Sequence, residues 1–508
     1  MPDPERDERT VWSAGEKPWR ARDVADLRAE AVRVLRDPAL AHVVALVCWR
    51  DGDHLHVADA YGHSRAPVSA PHQPVEELDG RDPVEQQDPA VTATDVYPHA
   101  WERLAGLLAD DEVDRVPDVV VVHTGAHHWP DRGGHLGEHG SLNAVQSRAP
   151  LLLSGAGVDA RGVLPRHCRT VDVAATLAHA VGAPTDDMTG RALDDLVDPA
   201  RVGRVVGLLW DGAPSGQLLD GAADGSLPAV ARLLERGCAL SGGAVAEFPS
   251  VTLVNHTSAL VGVGPGRHGV VHNAYYDRAT GETTVPNDAA TWHRHAEWLR
   301  PAARTVFQRL AEVEPDATSV CVNDPCERGA TASTFALVRA ARQAAAEAGE
   351  ADDGSGSGSF VDALPDPSGD PLAEHAAAAA HPRYRWASKV DAGGLMQVLG
   401  AWADGAPRLT WWNQVLPDTG GHEGGPGSAL QLAALREADR RLGAFLDHLE
   451  ARDLLDSTTF LLTADHGMEA ADPAVTGDFD EALRAAGLPF RDEGYGFLYL
   501  GDDVVPAG

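Results

Sequence analysis

Short apolar runs alternate with longer amphipathic stretches along most of the 508 residues, the pattern of an α/β fold built on a largely parallel sheet. The clearest runs fall at 118–123, 150–154, 205–210, 319–322, 409–412 and 459–463, each bounded by polar or glycine-rich sequence. Between the last two, Leu432, Leu435, Leu442, Leu446 and Leu449 recur at helical spacing, with Arg436, Glu437, Arg440 and Arg441 on the other face. That spacing predicts a helix packed on the sheet. Near the start, 23–36 reads as a helix, and 43–49 with 54–58 as a hairpin closed by Asp51-Gly52. The expectation is an α/β core, a mostly parallel sheet flanked by helices, with a small α+β insert. Residues 63–95, rich in Pro, Asp and Gln, read as loop, and the Gly/Ser tract at 349–359 as a flexible one.

Charge narrows the function classes. Asp and Glu number 76 against 42 Lys and Arg, a formal charge of −34, and so negative a surface repels nucleic-acid backbones and anionic lipid alike. Neither a nucleic-acid scaffold nor a membrane-surface binder is expected. Lys17 and Lys389 are the only lysines, a compositional bias that says little about chemistry. There is no apolar run long enough to span a bilayer, and the polar opening Met1-Pro2-Asp3 lacks a leader's apolar stretch, so the expected location is cytoplasmic. The five cysteines (Cys48, Cys168, Cys238, Cys321, Cys326) form no CxxC pair, which argues against a disulfide framework and against a thiolate zinc site.

Acidic or histidine-bearing turns follow four of the predicted strands, where open α/β sheets gather ligands at their carboxyl edge. They are Asp211-Gly212, Asp418 through His422, Asp465-His466-Gly467, and Gly137-Glu138-His139-Gly140. Singly, each reads as a turn. Together they are harder to read that way, because carboxylates buried near one another are costly without a cation, and carboxylate with imidazole suits Zn²⁺ or Mn²⁺.

A fifth segment runs Pro249-Ser250-Val251-Thr252-Leu253-Val254-Asn255-His256, followed by Pro265-Gly266-Arg267-His268-Gly269, Asn273 and Tyr276-Asp277. Taken in order with Asp211-Gly212, Asp418-x-x-x-His422 and Thr463-Ala464-Asp465-His466-Gly467-Met468, it resembles the alkaline phosphatase superfamily, in its type I phosphodiesterase/nucleotide pyrophosphatase branch. The resemblance implies Thr252 as nucleophile and Asn255 as a holder of phosphoryl oxygens. It implies two divalent metal ions, zinc foremost with manganese as the alternative: Asp211, Asp465, His466 and the Thr252 oxygen around one, Asp418 and His422 on the other. The family's third ligand for the second ion is a downstream histidine, yet none of the 42 residues after His466 is histidine. Residues 117–195 resemble the family's closing segment placed first. This implies a circular permutation, with His139 as the missing ligand and His135, then His123, His127 and His128, as fallbacks. On that reading 1–116 is a small α+β insert or cap with loop, 117–200 the permuted C-terminal part of the core, and 201–508 its N-terminal and central part.

The implied reaction is in-line attack by Thr252 on a small phosphorylated substrate, phosphodiester or nucleotide pyrophosphate in type, through a phospho-threonine intermediate. The alternatives are a phosphomonoesterase, a phosphonoacetate-type phosphonate hydrolase, or an inactive metal-binding relative. His256 and His268 read as structural and Trp411 and Trp412 as sheet core, while Tyr275 and Tyr276 are candidates for the pocket border. Specificity is expected from loops at 273–300, 345–390 and 23–100.

Overall fold

The computed structural model describes residues 23–71, 75–85, 96–108, 114–129, 133–347, 364, 366–494, 496–501 and 504; the tract at 349–359 lies outside them. The fold is α/β. Its larger sheet has eight strands in the order Ala332–Ser333, Ser319–Val322, Leu409–Gln414, Arg204–Trp210, Thr458–Thr463, Leu151–Gly155, Gly237–Leu240 and Gly162–Leu164. All neighbours are parallel except along Leu151–Gly155, which runs antiparallel to both of its partners. Strands buried on both faces read as unbroken apolar runs, which is why these were visible in the sequence. Arg204–Trp210 sits centrally, between Leu409–Gln414 and Thr458–Thr463. Gly207 is needed there, since a Cβ would lie 2.3 Å from the Trp411 ring.

Val119–His123 was expected in this sheet but pairs elsewhere. It joins a seven-stranded antiparallel sheet ordered Phe490–Asp492, Phe497–Leu500, Val119–His123, Val44–Asp51, His54–Ala58, Gly62–Pro67 and Glu76–Gly80. Val119 and Val121 pack with Leu27, Ala31 and Leu35 of the helix Val24–Leu35, whereas Val120 and Val122 pack with Leu104 and Leu107 of the helix Ala100–Leu108. With a helix on each face, the valine run carries no alternation and mimics a parallel core strand. The α+β unit therefore takes strands from both ends of the chain. Two strands, Gly62–Pro67 and Glu76–Gly80, also occupy the stretch read as loop; the second is a fully exposed edge strand without apolar alternation.

The leucine-patterned helix spans Ala429–Glu450, with Leu435, Leu442, Leu446 and Leu449 buried and Leu432 exposed. Its supposedly polar face is partly interior. Glu437 and Arg441 are completely buried and paired at 2.7 Å, and Glu437 also accepts hydrogen bonds from Tyr384 Oη and the Glu374 N–H. Arg441→Leu, which strands a buried carboxylate, is expected to cost about 3–5 kcal/mol, read as a fall in the denaturant midpoint. Among the described residues no helix is long and apolar enough to cross a membrane.

Candidate metal centre

The three central parallel strands end together and deliver the ligand-type residues. Arg204–Trp210 runs into Asp211-Gly212, and Thr458–Thr463 into Asp465-His466-Gly467. Leu409–Gln414 leads not to a loop, as expected, but to the helix Leu416–Gly424, which carries Asp418 and His422 one turn apart. Asp391 fixes the start of that helix by accepting from the Val415 and Leu416 N–H groups at 2.9 and 3.1 Å. Gly212, at φ +63°, lets its turn abut the helix: a Cβ there would be 2.6 Å from Asp418 Oδ1.

His139 arrives from the opposite end of the chain. Gly137–Glu138 pairs antiparallel with Glu469–Ala470, just beyond Asp465-His466. Glu469 Oε2 clamps the junction by accepting from Asn143 Nδ2 and Gln146 Nε2 at 2.9 and 2.8 Å. The His139 ring stacks on His466 with centroids 3.6 Å apart, and its Nε2 lies 3.1 Å from His422 Nε2 and 3.8 Å from Asp418 Oδ1. Backbone oxygens fix the imidazoles: Ser250 O lies 3.0 Å from His139 Nδ1, and Gly137 O 2.7 Å from His422 Nδ1. A ligating histidine is usually oriented through its other ring nitrogen in this way.

Across the Gly212 turn, His466 Nε2 lies 3.1 Å from Asp465 Oδ2 and 3.7 Å from Asp211 Oδ1. His256 joins this second cluster, with Nε2 3.6 Å from Asp211 and 3.5 Å from Asp465. Its Nδ1 faces Asp324 Oδ2 at 2.9 Å, and Asp324 is held by Trp411 Nε1 at 2.7 Å and the Cys326 N–H at 2.8 Å. His256, read as a structural residue, thus stands among the carboxylates, while core Trp411 braces its partner. His135 is also nearby, its ring 4.4 Å from that of His422, and it groups with Glu138 and His422 rather than with His139.

Carboxylates and imidazoles shift one another strongly here: against the opposing effect of burial, the neighbouring carboxylates raise His466 to about 9 and His256 well above the ordinary imidazole value. Burial, with Asp465 and Asp418 close by, pushes the Asp211 carboxyl well above its usual range. For Asp465 burial acts the same way, but His466 and His256 outweigh it and hold its pKa well down. Burial together with His466 and His422 keeps His139 far below the ordinary imidazole value, hence neutral and able to donate a lone pair. Asp211 Oδ1, Asp418 Oδ1, Asp465 Oδ2 and His466 Nε2 are buried without a hydrogen-bond partner. Buried carboxylate oxygens without a hydrogen bond are expensive, and two cations, one in each cluster, would satisfy all four atoms.

Thr252 opens the buried helix Thr252–Val261 and borders one cleft with Asp211 and His256. Asn255, expected to hold phosphoryl oxygens, does not face that cleft. Its Oδ1 accepts from the Glu247 N–H at 2.6 Å, and its Nδ2 donates to the Glu247, Pro249 and Val251 carbonyls at 3.1–3.2 Å. It ties down the turn that presents Thr252. Asn255→Ala, which leaves these buried backbone groups unpaired, is expected to cost about 1–3 kcal/mol, read as a lower melting temperature. Asn273 is the asparagine beside Thr252, its Oδ1 accepting from the Leu253 N–H at 3.3 Å. The sequence held both asparagines in adjoining motifs; only the helix geometry separates the buried one from the one beside Thr252. Tyr275 and Tyr276 are buried against the second sheet instead of bordering the pocket. The cleft wall comes from Asn287, Trp292, Phe335, Val338 and Trp386.

Among curated proteins, a venom phosphodiesterase of Naja atra is 46% identical over 54 residues, 11% of this chain and 6% of that protein. Venom phosphodiesterase 2 of Crotalus adamanteus is 47% identical over 53 residues, 10% of this chain and again 6% of the relative. The chain therefore aligns with only a small part of these relatives. Among solved structures, murine ectonucleotide pyrophosphatase / phosphodiesterase 5 aligns at 15% identity and a TM-score of 0.35, covering 53% of this chain and 59% of that one. A phosphonoacetate hydrolase from Sinorhizobium meliloti 1021 aligns at 24% identity and a TM-score of 0.33, over 53% and 56% of the two chains. The model of one family matches residues 205–504, more than half of the chain, and the chain belongs to that family: type I phosphodiesterase / nucleotide pyrophosphatase.

Proposed function

We propose that this protein is a metal-dependent phosphoric ester hydrolase, phosphodiester or nucleotide pyrophosphate in type, that works through a phospho-threonine intermediate on Thr252. The observation that carries the reading is Thr252 at a helix N-terminus, in a cleft shared with Asp211 and beside two His/carboxylate clusters. The donor set fits two divalent ions of the zinc or manganese kind: Asp211, Asp465, His466 and Thr252 for one, Asp418, His422 and His139 for the other. When bound, such ions neutralise phosphoryl charge and make a coordinated hydroxyl easier to ionise. Thr252 Oγ1 attacks phosphorus as the ester P–O bond breaks, and water then cleaves the phospho-threonine and restores the hydroxyl. The helix N-terminus favours an anion, and Asn273, whose Oδ1 accepts from the Leu253 N–H next to Thr252, is read as the residue that meets the phosphoryl oxygens.

The chain order is read as a circular permutation, with 117–200 as the closing part of the core. Two placements support it: Leu151–Gly155 lies next to Thr458–Thr463 in the main sheet, and His139 lies against His422. A panel of bis(4-nitrophenyl) phosphate, 4-nitrophenyl phosphate, a 4-nitrophenyl nucleotide and phosphonoacetate tests the activity. Diester and nucleotide cleavage that is lost on chelation and restored by Zn²⁺ or Mn²⁺ is the expected result. Preference for the monoester or for phosphonoacetate would replace the diester assignment.

A further inference from the structure

His256 sits one helical turn beyond Thr252, so both residues fall on the same face of the helix Thr252–Val261. It is 1% exposed and lines the cleft that reaches Thr252 and Asp211. Its Nε2 lies 3.6 Å from Asp211 Oδ2 and 3.5 Å from Asp465 Oδ2, longer than ordinary hydrogen bonds. Among the described residues that nitrogen has no hydrogen-bond partner. Two donor atoms on one tetrahedral zinc ion stand about 3.3 Å apart, given bonds of roughly 2.0–2.1 Å. One atom from each of Asp211, His256 and Asp465 lies within 4.8 Å of the other two, a group separate from that of His466 with His139 and Asp418.

The other ring nitrogen is taken care of by a residue the reaction does not otherwise use. His256 Nδ1 lies 2.9 Å from Asp324 Oδ2. Asp324 is completely buried and follows the strand Ser319–Val322, neighbour of Leu409–Gln414, so a fourth strand end serves the site. Its turn is anchored through Asn323, which stands at φ +56°, donates its N–H to Thr334 Oγ1 at 2.9 Å and accepts from Asn413 Nδ2 at 3.1 Å. Trp411 Nε1 and the Cys326 N–H fix the carboxylate itself. A carboxylate against one imidazole nitrogen keeps the proton there and leaves the lone pair on the other, as with metal-bound histidines and their outer partners. Against burial, the carboxylates raise the pKa of His256 as they do that of His466, so both rings lie in negative surroundings that a cation would relieve. We infer that His256 Nε2 is a further ligand of the ion held by Asp211 and Asp465, with Asp324 as its positioning residue. The added imidazole turns that position toward zinc and away from manganese, because imidazole suits Zn²⁺ and carboxylate suits Mn²⁺.

This inference rests on the metal-dependent reading, and the test separates the two. A crystal structure of the full chain loaded with Zn²⁺, its ions located by anomalous scattering, is expected to show Nε2 about 2.0–2.1 Å from the ion on Asp211 and Asp465. In solution, Zn²⁺ and Mn²⁺ affinities are read without substrate, by competition with a chromophoric chelator. His256→Asn should weaken Zn²⁺ at one of two sites by at least ~100-fold and Mn²⁺ by less, lowering the Zn²⁺/Mn²⁺ selectivity about 10-fold. Asp324→Asn keeps the ring but loosens its hold, and should cost ~10–100-fold in Zn²⁺ affinity. General damage to the fold weakens both metals alike and does not move the selectivity. An Nε2 more than about 3 Å from the ion, or a wild-type selectivity in His256→Asn, overturns the ligand assignment and leaves the hydrolase reading standing. A wild-type protein that binds neither Zn²⁺ nor Mn²⁺ overturns the metal-dependent reading itself.

Discussion

Thr252→Ala should reduce phosphodiester turnover by at least ~10³-fold while leaving the fold and the metal content close to wild type. Thr252 is the first residue of its helix, and the residue before it, Val251, makes no side-chain capping bond, so no cap is lost with the hydroxyl. A partly exposed side chain of this size contributes little to stability, and the melting temperature should barely move. Thr252→Ser keeps a hydroxyl at the same place and should recover a substantial part of the rate. The decisive measurement is an acid quench with substrate labelled at phosphorus. Wild type should carry label on the protein, Thr252→Ala none. Turnover within tenfold of wild type in the alanine variant, with metals bound, would remove Thr252 from the mechanism.

Much of the site was legible because parallel strands buried on both faces read as apolar runs, and the residues just past their ends read as turns with carboxylates and imidazoles. Asp211, Asp465 and His466 were read in this way, and the structure brings them together. Asp418 and His422 were read in the same way, but not their helical setting. Pro417-Asp-Thr-Gly-Gly looks like a loop, and the helix there is held at its start by Asp391, which is distant in sequence. The second sheet was the least legible part. Its strands come from 44–80, 119–123 and 490–500, and no local pattern announces that Phe497 will pair with Val120. Glu437 and Arg441 misled for a related reason: charges at helical spacing read as a wet face, whereas Tyr384 and Ser388 from another helix enclose them. Asn255 was misassigned because a motif gives order along the chain but not direction in space. One helical turn beyond Thr252, its amide points back at the turn it braces.

His139→Ala tests the proposal that a histidine preceding Asp211 in the chain completes the metal site. The variant is expected to hold about one metal ion fewer per chain and to lose at least ~100-fold in kcat/KM, since even outer-sphere partners of metal ligands cost 10–100-fold. It also loses the stacking on His466, so His139→Gln, which keeps more of the side chain, is the companion variant. His135→Ala is the control, because His135 groups with Glu138 and His422 and not with the pair formed by His139 and Asp418. If 117–200 were an appended domain with no part in the site, the metal content of His139→Ala would match wild type. The geometry argues against that outcome: His139 Nε2 lies 3.1 Å from His422 Nε2, while its Nδ1 is already engaged by the Ser250 carbonyl, two residues before Thr252. Two imidazole nitrogens that close, with burial and its neighbours holding His139 neutral, either share one proton or share a cation. Asp418 Oδ1, 3.8 Å from His139 Nε2 and without a hydrogen bond among the described residues, favours the cation.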